Sequence, residues 1–276
     1  MGFSQGIAAT YESWYDTPSG SRADALEKAT LWRLLRHSCD VHSVLEVGAG
    51  TGHFSRWLAA EGLVAVGLDL SPSMLTVAQG LDGVGLVQAD AMRLPFGRGA
   101  FDVVAFITTL EFLPEPTHAL REALRVARRG LLLGVLNRHS LLAVERRLTG
   151  LRRPSVYRGA HFYSVGELKR LLQSLVGPQA RVVWDTTLLP RFCPSGHRFP
   201  WGGFIGMALW KPGDERVDRL PMTPSDRAAS SRSAIGCAAR EGTGASSLEK
   251  REPSCTWAAQ STRSVSEEER RDEPLC

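Results

Sequence analysis

Along roughly the first two hundred residues, short apolar runs of strand length alternate with stretches whose apolar positions return every three to four residues. The strand-like runs are Val44–Val47, Val64–Asp69, Gly85–Ala91, Phe101–Ile107 and Leu131–Leu136. The last is almost wholly aliphatic, as a parallel strand buried on both faces requires. Helical period appears over Thr10–Ser38, where Ala25, Leu26, Ala29, Trp32 and Leu35 form a stripe expected to pack on a sheet edge. It returns over Pro116–Arg129, with Ala119, Leu120, Ala123, Leu124 and Ala127 inward and arginines outward. Asn137-Arg138-His139-Ser140 opens a further helix to Leu148. Ser164-Val165-Gly166-Glu167 has capping-box spacing ahead of Leu168, Leu171, Leu172 and Leu175. Arg181–Leu188 and Phe204–Trp210 read as two final antiparallel strands. Strands alternating with helices predict an α/β domain around a mainly parallel sheet.

The first strand runs into its helix through Glu46-Val47-Gly48-Ala49-Gly50-Thr51-Gly52-His53-Phe54. Alternate glycines after a strand permit positive φ and let a ligand approach bare backbone, while the amides that open the helix offer donors. A dinucleotide-binding turn would read G-x-G-x-x-G, but His53 stands where its third glycine belongs and Glu46 brings a carboxylate that repels pyrophosphate. This disfavours a NAD-dependent oxidoreductase. Glycines that serve only a tight turn remain the alternative at this point, and the next two runs weigh against it. Asp69 ends the second, about 20 residues past the glycines, where ribose hydroxyls are accepted in this architecture. Asp90 closes the third. Three acids at successive strand ends face the crevice of an open α/β sheet, and Glu46 there suits a ligand amine or sulfonium. Ser71 and Pro72 read as cap and first residue of the next helix.

Four blocks, Leu45–Gly52, Gly67–Leu75, Gln88–Phe96 and Phe101–Val104, resemble the class I S-adenosylmethionine-dependent methyltransferases, in particular the small-molecule branch that includes the ubiquinone and menaquinone methyltransferases. The resemblance implies a Rossmann-like seven-stranded sheet with helices on both faces, S-adenosyl-L-methionine as cofactor and a small-molecule methyl acceptor. By it, Glu46 with Gly48, Ala49, Gly50 and Gly52 would hold the methionine moiety, Asp69 the ribose, Asp90 and Ala91 the adenine edge, and Leu70 and Met74 the adenine face. It also lays the N-terminal segment over the cofactor, so Tyr11, Trp14 and Tyr15 either shield the sulfonium by cation–π contact or serve as plain apolar cover. An activated methyl group asks mainly for near-attack geometry and exclusion of water. If the acceptor is a hydroxyl or an acidic carbon, a base adds a factor of order 10² to 10⁴. His139 and His161, in the loops after the fifth strand, are the candidates, against the plainer reading of each as a cap or a solvated polar residue. After the fourth strand the chain reads Thr108-Thr109-Leu110-Glu111-Phe112-Leu113-Pro114, without the Asn/Asp-Pro-Pro-aromatic run of enzymes that methylate exocyclic amino groups of bases.

Composition sets the limits. The chain has 276 residues, 43% of them hydrophobic, enough for one α/β core, but apolar residues thin out after Pro212. The expected organisation is an N-terminal helical cap over 1–38, a methyltransferase domain over 39–212 and a disordered tail over 213–276, where no apolar period offsets the entropy of ordering. No run reaches the ~20 apolar residues of a membrane span and the first residues lack signal-peptide features, so the expectation is a soluble, cytoplasmic protein. Five scattered cysteines suggest reduced thiols, and Cys193 with His197 lacks a second pair for a metal site. Arginines crowd the stretch from Arg121 to Arg158, which suits an anionic substrate or RNA, yet the net charge is only +4 and no aromatic residues interleave them to stack bases. Nucleic acid is therefore a disfavoured partner. A tRNA-directed methyltransferase and a cofactor-binding protein without turnover are the alternative functions. A chain cut after Pro212 is expected to keep its fold and its cofactor affinity; loss of cooperative unfolding or of S-adenosylhomocysteine binding on that cut would contradict the boundary.

Overall fold

In the computed structural model, which describes residues 12–38, 40–80, 83–140, 159–177, 179–188 and 200–212, seven strands form one sheet in the order β3-β2-β1-β4-β5-β7-β6. In chain order the elements are α1 (Pro18–Leu35), β1 (Ser43–Val47), α2 (His53–Ala60), β2 (Val64–Asp69), α3 (Pro72–Ala78), β3 (Val84–Gln88), β4 (Phe101–Ile107), α4 (Pro116–Val126), β5 (Ala127–Leu136), α5 (Val165–Val176), β6 (Arg181–Thr187) and β7 (Phe204–Trp210). Strands β1 to β5 are parallel, and β7 inserts antiparallel between β5 and β6. All the described residues fall within one unit, Met1–Arg219.

The chain leaves β1 toward β2 and β3 on one side and later returns to β4 on the other. The order thus reverses between β1 and β4, which places a ligand crevice beyond their carboxyl ends. Alternation along β1 divides the core between the two faces of the sheet. Leu45 and Val47 pack with Leu120 and Ala123 of α4 and Leu168 and Leu172 of α5. Val44 packs with Leu31 and Leu34 of α1 and Phe54 and Leu58 of α2. Among the described residues no helix is long and apolar enough to cross a membrane.

Several boundaries differ from the sequence reading. Strand β5 starts at Ala127, because α4 stops at Val126, and from that strand the guanidinium groups of Arg128 and Arg129 reach Asp102 at 3.4 Å. Strand β3 stops at Gln88, so Asp90 lies in the turn beyond it. In α1 the buried face is Ala23, Glu27, Thr30, Leu31, Leu34 and Leu35, while Ala25 and Ala29 of the expected stripe are exposed. Thr30 is tolerated there because β7 offers it a glycine: a Cβ on Gly206 would meet Leu34 at 2.7 Å and Thr30 at 2.9 Å. Arg33 then ties α1 to β6 through Asp185 at 2.6 Å. The expected helix after Ser140, Tyr11, the five cysteines, His197 and the segment after Pro212 all lie outside the described residues.

Asp102 joins three strands at the amino edge of the sheet. Its carboxylate accepts the backbone N–H groups of His42 and Ser43, each at 3.0 Å, and the Ser43 hydroxyl at 3.1 Å. Burial alone would raise its pKa, but these donors and Arg128 hold it below the usual carboxylate range. Asp102→Ala is expected to lower the unfolding free energy by about 2–3 kcal/mol, because it strands two backbone donors. Urea unfolding at pH 7 measures this, and an unchanged midpoint would refute it.

Candidate active site

The glycine loop between β1 and α2 is held from both sides. From β2, Leu68 O accepts Gly48 N at 2.7 Å and Ala49 N at 2.9 Å. The Asp69 carboxylate then accepts Gly50 N and, through its other oxygen, Ser71 N, both at 2.8 Å. From β4, Thr109 closes on Gly48: its hydroxyl lies 3.1 Å from Gly48 O, and a Cβ on Gly48 would come within 2.1 Å of the Thr109 methyl. Gly48 has φ +75°, so both its conformation and its lack of side chain are used by the protein itself. Gly50, at φ +56°, is different: a Cβ there would meet no atom of the described residues within 4 Å. Bare backbone therefore faces open space at Gly50, beside the Asp69 carboxylate. Gly52, at φ +78°, is the N-cap of α2.

The three acids occupy three environments. Glu46 lies within β1, flanked by Gly67 and Ala105, and its carboxyl is 2% exposed beneath the loop. It accepts the Ser55 hydroxyl at 2.5 Å. Burial pushes its pKa up to about 8 against the pull of the Ser55 hydrogen bonds, and the neighbouring Asp69 charge adds to the rise. Asp69 is half-buried at the crevice. Asp90 accepts Met92 N at 2.9 Å within its turn, above buried Ala91. Leu70 is 57% exposed at the end of β2 and Met74 is buried in α3. The residues expected to hold the cofactor thus gather at the carboxyl ends of β1, β2 and β3. Ser71 occupies the N-cap position of α3, but its hydroxyl pairs with Ser73 at 2.9 Å instead of capping the helix.

An unforeseen cluster fastens the N-terminal segment to this loop. His53, in the sequence only a departure from the dinucleotide pattern, lies 2.7 Å from Asp24 and 3.1 Å from Lys28, both on α1. Tyr15 stacks on its ring at 3.7 Å between centroids, with Trp14 edge-on to Tyr15 at 5.0 Å. Glu12 accepts the Thr51 hydroxyl and pairs with Arg56 at 3.0 Å. Burial and the Lys28 charge hold the His53 pKa below its usual value despite Asp24. Only the aromatic pair Trp14 and Tyr15 had pointed to this segment. The acids and the lysine bear no sequence mark, since they take their meaning from a contact across about 25 to 40 residues of chain.

Beyond β4 and β5 lies the other half of the crevice. Thr108, a β-branched residue directly after β4, has φ +49°, a conformation such residues seldom adopt away from functional sites. His139 is exposed and its backbone N–H meets the Asn137 side chain at 3.1 Å. His161 stands on the turn Leu110–Phe112, its N–H donating to Glu111 O at 2.8 Å, and its ring lies 2.6 Å from Glu167. Four of the five described arginines of the basic stretch have partners within the domain, Arg125 with Glu122, Phe96 O and Leu94 O, Arg128 and Arg129 with Asp102, and Arg138 with Glu167, while Arg121 is exposed on α4.

This sheet order, with a glycine loop at the switch point and an acid ending β2, defines a class I S-adenosylmethionine-dependent methyltransferase domain, whose cofactor is S-adenosylmethionine. Residues 45–133 match the methyltransferase domain family, and the chain carries that domain. A solved structure from Thermotoga maritima, described as a SAM-dependent methyltransferase and possible histamine N-methyltransferase, superposes with a TM-score of 0.61 at 25% identity, covering 75% of this chain and 96% of that one. An uncharacterized protein of Mycobacterium tuberculosis is 35% identical over 60% of this chain and 56% of its own length. The demethylmenaquinone methyltransferase of Clavibacter sepedonicus is 42% identical over 32% of this chain and 37% of its own. The chain thus spans just over half of the mycobacterial relative and about a third of the quinone one.

Two predictions follow from the acids. Glu46 binds a proton in the folded protein between its unfolded pKa of 4.5 and about 8, so its burial erodes stability as pH rises through that window. Glu46→Gln removes the erosion, and its melting temperature relative to the parent is expected to climb between pH 5 and pH 8; parallel curves would contradict the buried protonated carboxyl. Asp69→Ala is expected to weaken S-adenosylhomocysteine binding by about 1.5–3 kcal/mol, through the lost carboxylate at the crevice and a freed Gly50 N–H. An unchanged dissociation constant would mean that the ribose is held elsewhere.

Proposed function

We propose that this protein transfers the methyl group of S-adenosylmethionine to a small-molecule acceptor. The observation that carries the reading is the open space over Gly50 beside Asp69, where backbone and carboxylate can meet a ribose and a methionine chain with no protein side chain between them. In this assignment Asp69 accepts the ribose hydroxyls, and Asp90 with the backbone at Ala91 takes the adenine edge. Leu70 and Met74 form the shelf for its ring. Gly48, Ala49, Gly50 and Gly52 carry the methionine chain, with Glu46 beneath them as the buried acid whose ionisation the arriving ammonium favours. The cofactor supplies a methyl group already activated as a sulfonium, so the chain's task is to orient it and keep water out. The fastened segment with Tyr15 and Glu12 suits that second task.

Two observations support a small molecule over RNA as acceptor. Arg125, Arg128 and Arg129 of the basic stretch are committed to carbonyl groups and carboxylates within the domain, which leaves fewer of its described arginines for a phosphate-binding surface. One relative is a demethylmenaquinone methyltransferase, which makes a quinol-like ring the first acceptor to try. Calorimetry is expected to show S-adenosylhomocysteine binding with no competition from NAD. NAD binding more tightly than S-adenosylhomocysteine would sink the reading.

A further inference from the structure

Three side chains near the ends of β4 and β5 are able to take a proton from an acceptor: His139, His161 and Tyr163. Tyr163 is buried, its hydroxyl lies 3.4 Å from Leu110 O, and burial with the nearby charges of Glu111 and Glu167 raises its pKa, so it stays protonated. His139 is exposed, and its backbone N–H donates to Asn137 Oδ1 at 3.1 Å. His161 is exposed too, but its ring has a partner. Its Nε2 lies 2.6 Å from Glu167 Oε1, while half of its side chain, 51%, remains open to solvent.

The supports of this pair are rigid. Glu167 is the third residue of α5, and its backbone N–H is capped by Ser164 Oγ at 3.2 Å. In a capping box the glutamate would turn back to its own N-cap N–H. Here its carboxylate goes to His161 through one oxygen and lies 3.3 Å from Arg138 through the other. His161 is pinned from beneath by Glu111 O, and Tyr163 packs edge-on to its ring at 4.7 Å. Glu111 in turn accepts Leu136 N at 2.6 Å, which joins the turn after β4 to the end of β5. The imidazole itself meets Glu167 and Tyr163, with Arg138 behind the glutamate and Glu111 beneath the backbone.

We infer that His161 is the proton acceptor for the methyl acceptor and that Glu167 is its positioning residue, which makes the substrate an electron-rich hydroxy-aromatic whose nucleophile is born with a proton on it. The inference rests on the proposed methyl transfer. With Nε2–H donated to Glu167, Nδ1 keeps the lone pair. It takes the hydroxyl proton as the acceptor's electron pair forms the new bond to the methyl carbon; the sulfur keeps the pair of the bond it loses and leaves as a neutral thioether. The imidazolium, stabilised by Glu167, then gives the proton to solvent. The net change is acceptor–H and sulfonium to methylated acceptor, thioether and one proton.

The test uses the full chain, S-adenosylmethionine and reduced 1,4-naphthoquinone as the probe acceptor. His161→Gln is expected to lower kcat by a factor of order 10² or more, with S-adenosylhomocysteine affinity and melting temperature unchanged. His161→Ala should recover part of that loss in added imidazole. Glu167→Gln should lower kcat with little change in KM, Glu167→Asp should lower it less, and in the cofactor-free protein Glu167→Gln should shift the His161 ring N–H resonance upfield. A kcat within threefold of the parent in His161→Gln overturns the assignment, as does equal loss of cofactor affinity and turnover. A parent protein that binds S-adenosylhomocysteine yet transfers nothing to the probe also overturns it and leaves the cofactor reading standing. Absence of S-adenosylhomocysteine binding would instead bring down the proposed function itself.

Discussion

The site depends on one loop being clamped between two neighbouring strands. A backbone turn with three positive-φ glycines has no stiffness of its own, because glycine loses more conformational freedom on ordering than any other residue. Its shape comes from Leu68 O and Asp69 on the β2 side and from Thr109 on the β4 side. The first glycine is spent on that clamping and the second is left open, so one motif divides its labour between packing and ligand access. Asp69 serves both ends of this arrangement, since the carboxylate that fastens Gly50 N also faces the crevice. Preorganisation of this kind means that binding need not order the loop, which conserves affinity that a mobile turn would lose.

A second consequence concerns charge. A carboxyl fully removed from water at Glu46 is kept neutral near pH 7 by desolvation, against the hydrogen bonds it accepts from Ser55. Close above it the N-terminal segment is held by ionisable groups as well, Asp24, Lys28, His53, Glu12 and Arg56. The buried carboxyl and the ion-paired cover therefore bracket the loop from below and above. A cation arriving in the crevice acts on both, whereas a neutral ligand acts on neither, so the surroundings of the loop are responsive to ligand charge.

How much of this the sequence disclosed varies with the range of the interaction. The strand-loop-helix around Gly48, the antiparallel final pair and the Ser164 cap of α5 were legible because each is a local pattern of spacing and residue type. The acids read from the sequence as strand-end residues were legible as such, and the sheet brings them together at its carboxyl edge. The buried face of α1 was not, because Thr30 and Glu27 are polar and are inward only where a distant glycine, Gly206, makes room. The start of β5 was hidden by arginines that look like a helix's outer face but answer to Asp102. The partners of His53 and His161 were hidden for a related reason: His53 meets acids on another element, and Glu167, read as a capping residue, uses its side chain elsewhere.

The position of β7 bears on how the chain must be made. Of the described strands this is the last to leave the ribosome, every residue of it is buried, and it lies inside the sheet, paired to β5 along one edge and β6 along the other. Helix α1, near the opposite end of the chain, packs its Thr30 and Leu34 against that same strand. Until residues 204–210 emerge, β5 is an open edge flanked by apolar faces, a template for pairing with the wrong chain. Domains assembled in this way cannot finish during synthesis of their first half; they wait as partly formed, aggregation-prone intermediates for a long-range closure. The nascent chain therefore has its period of greatest exposure just before β7 appears, when the cofactor loop already has both neighbouring strands and the sheet that carries it is still open.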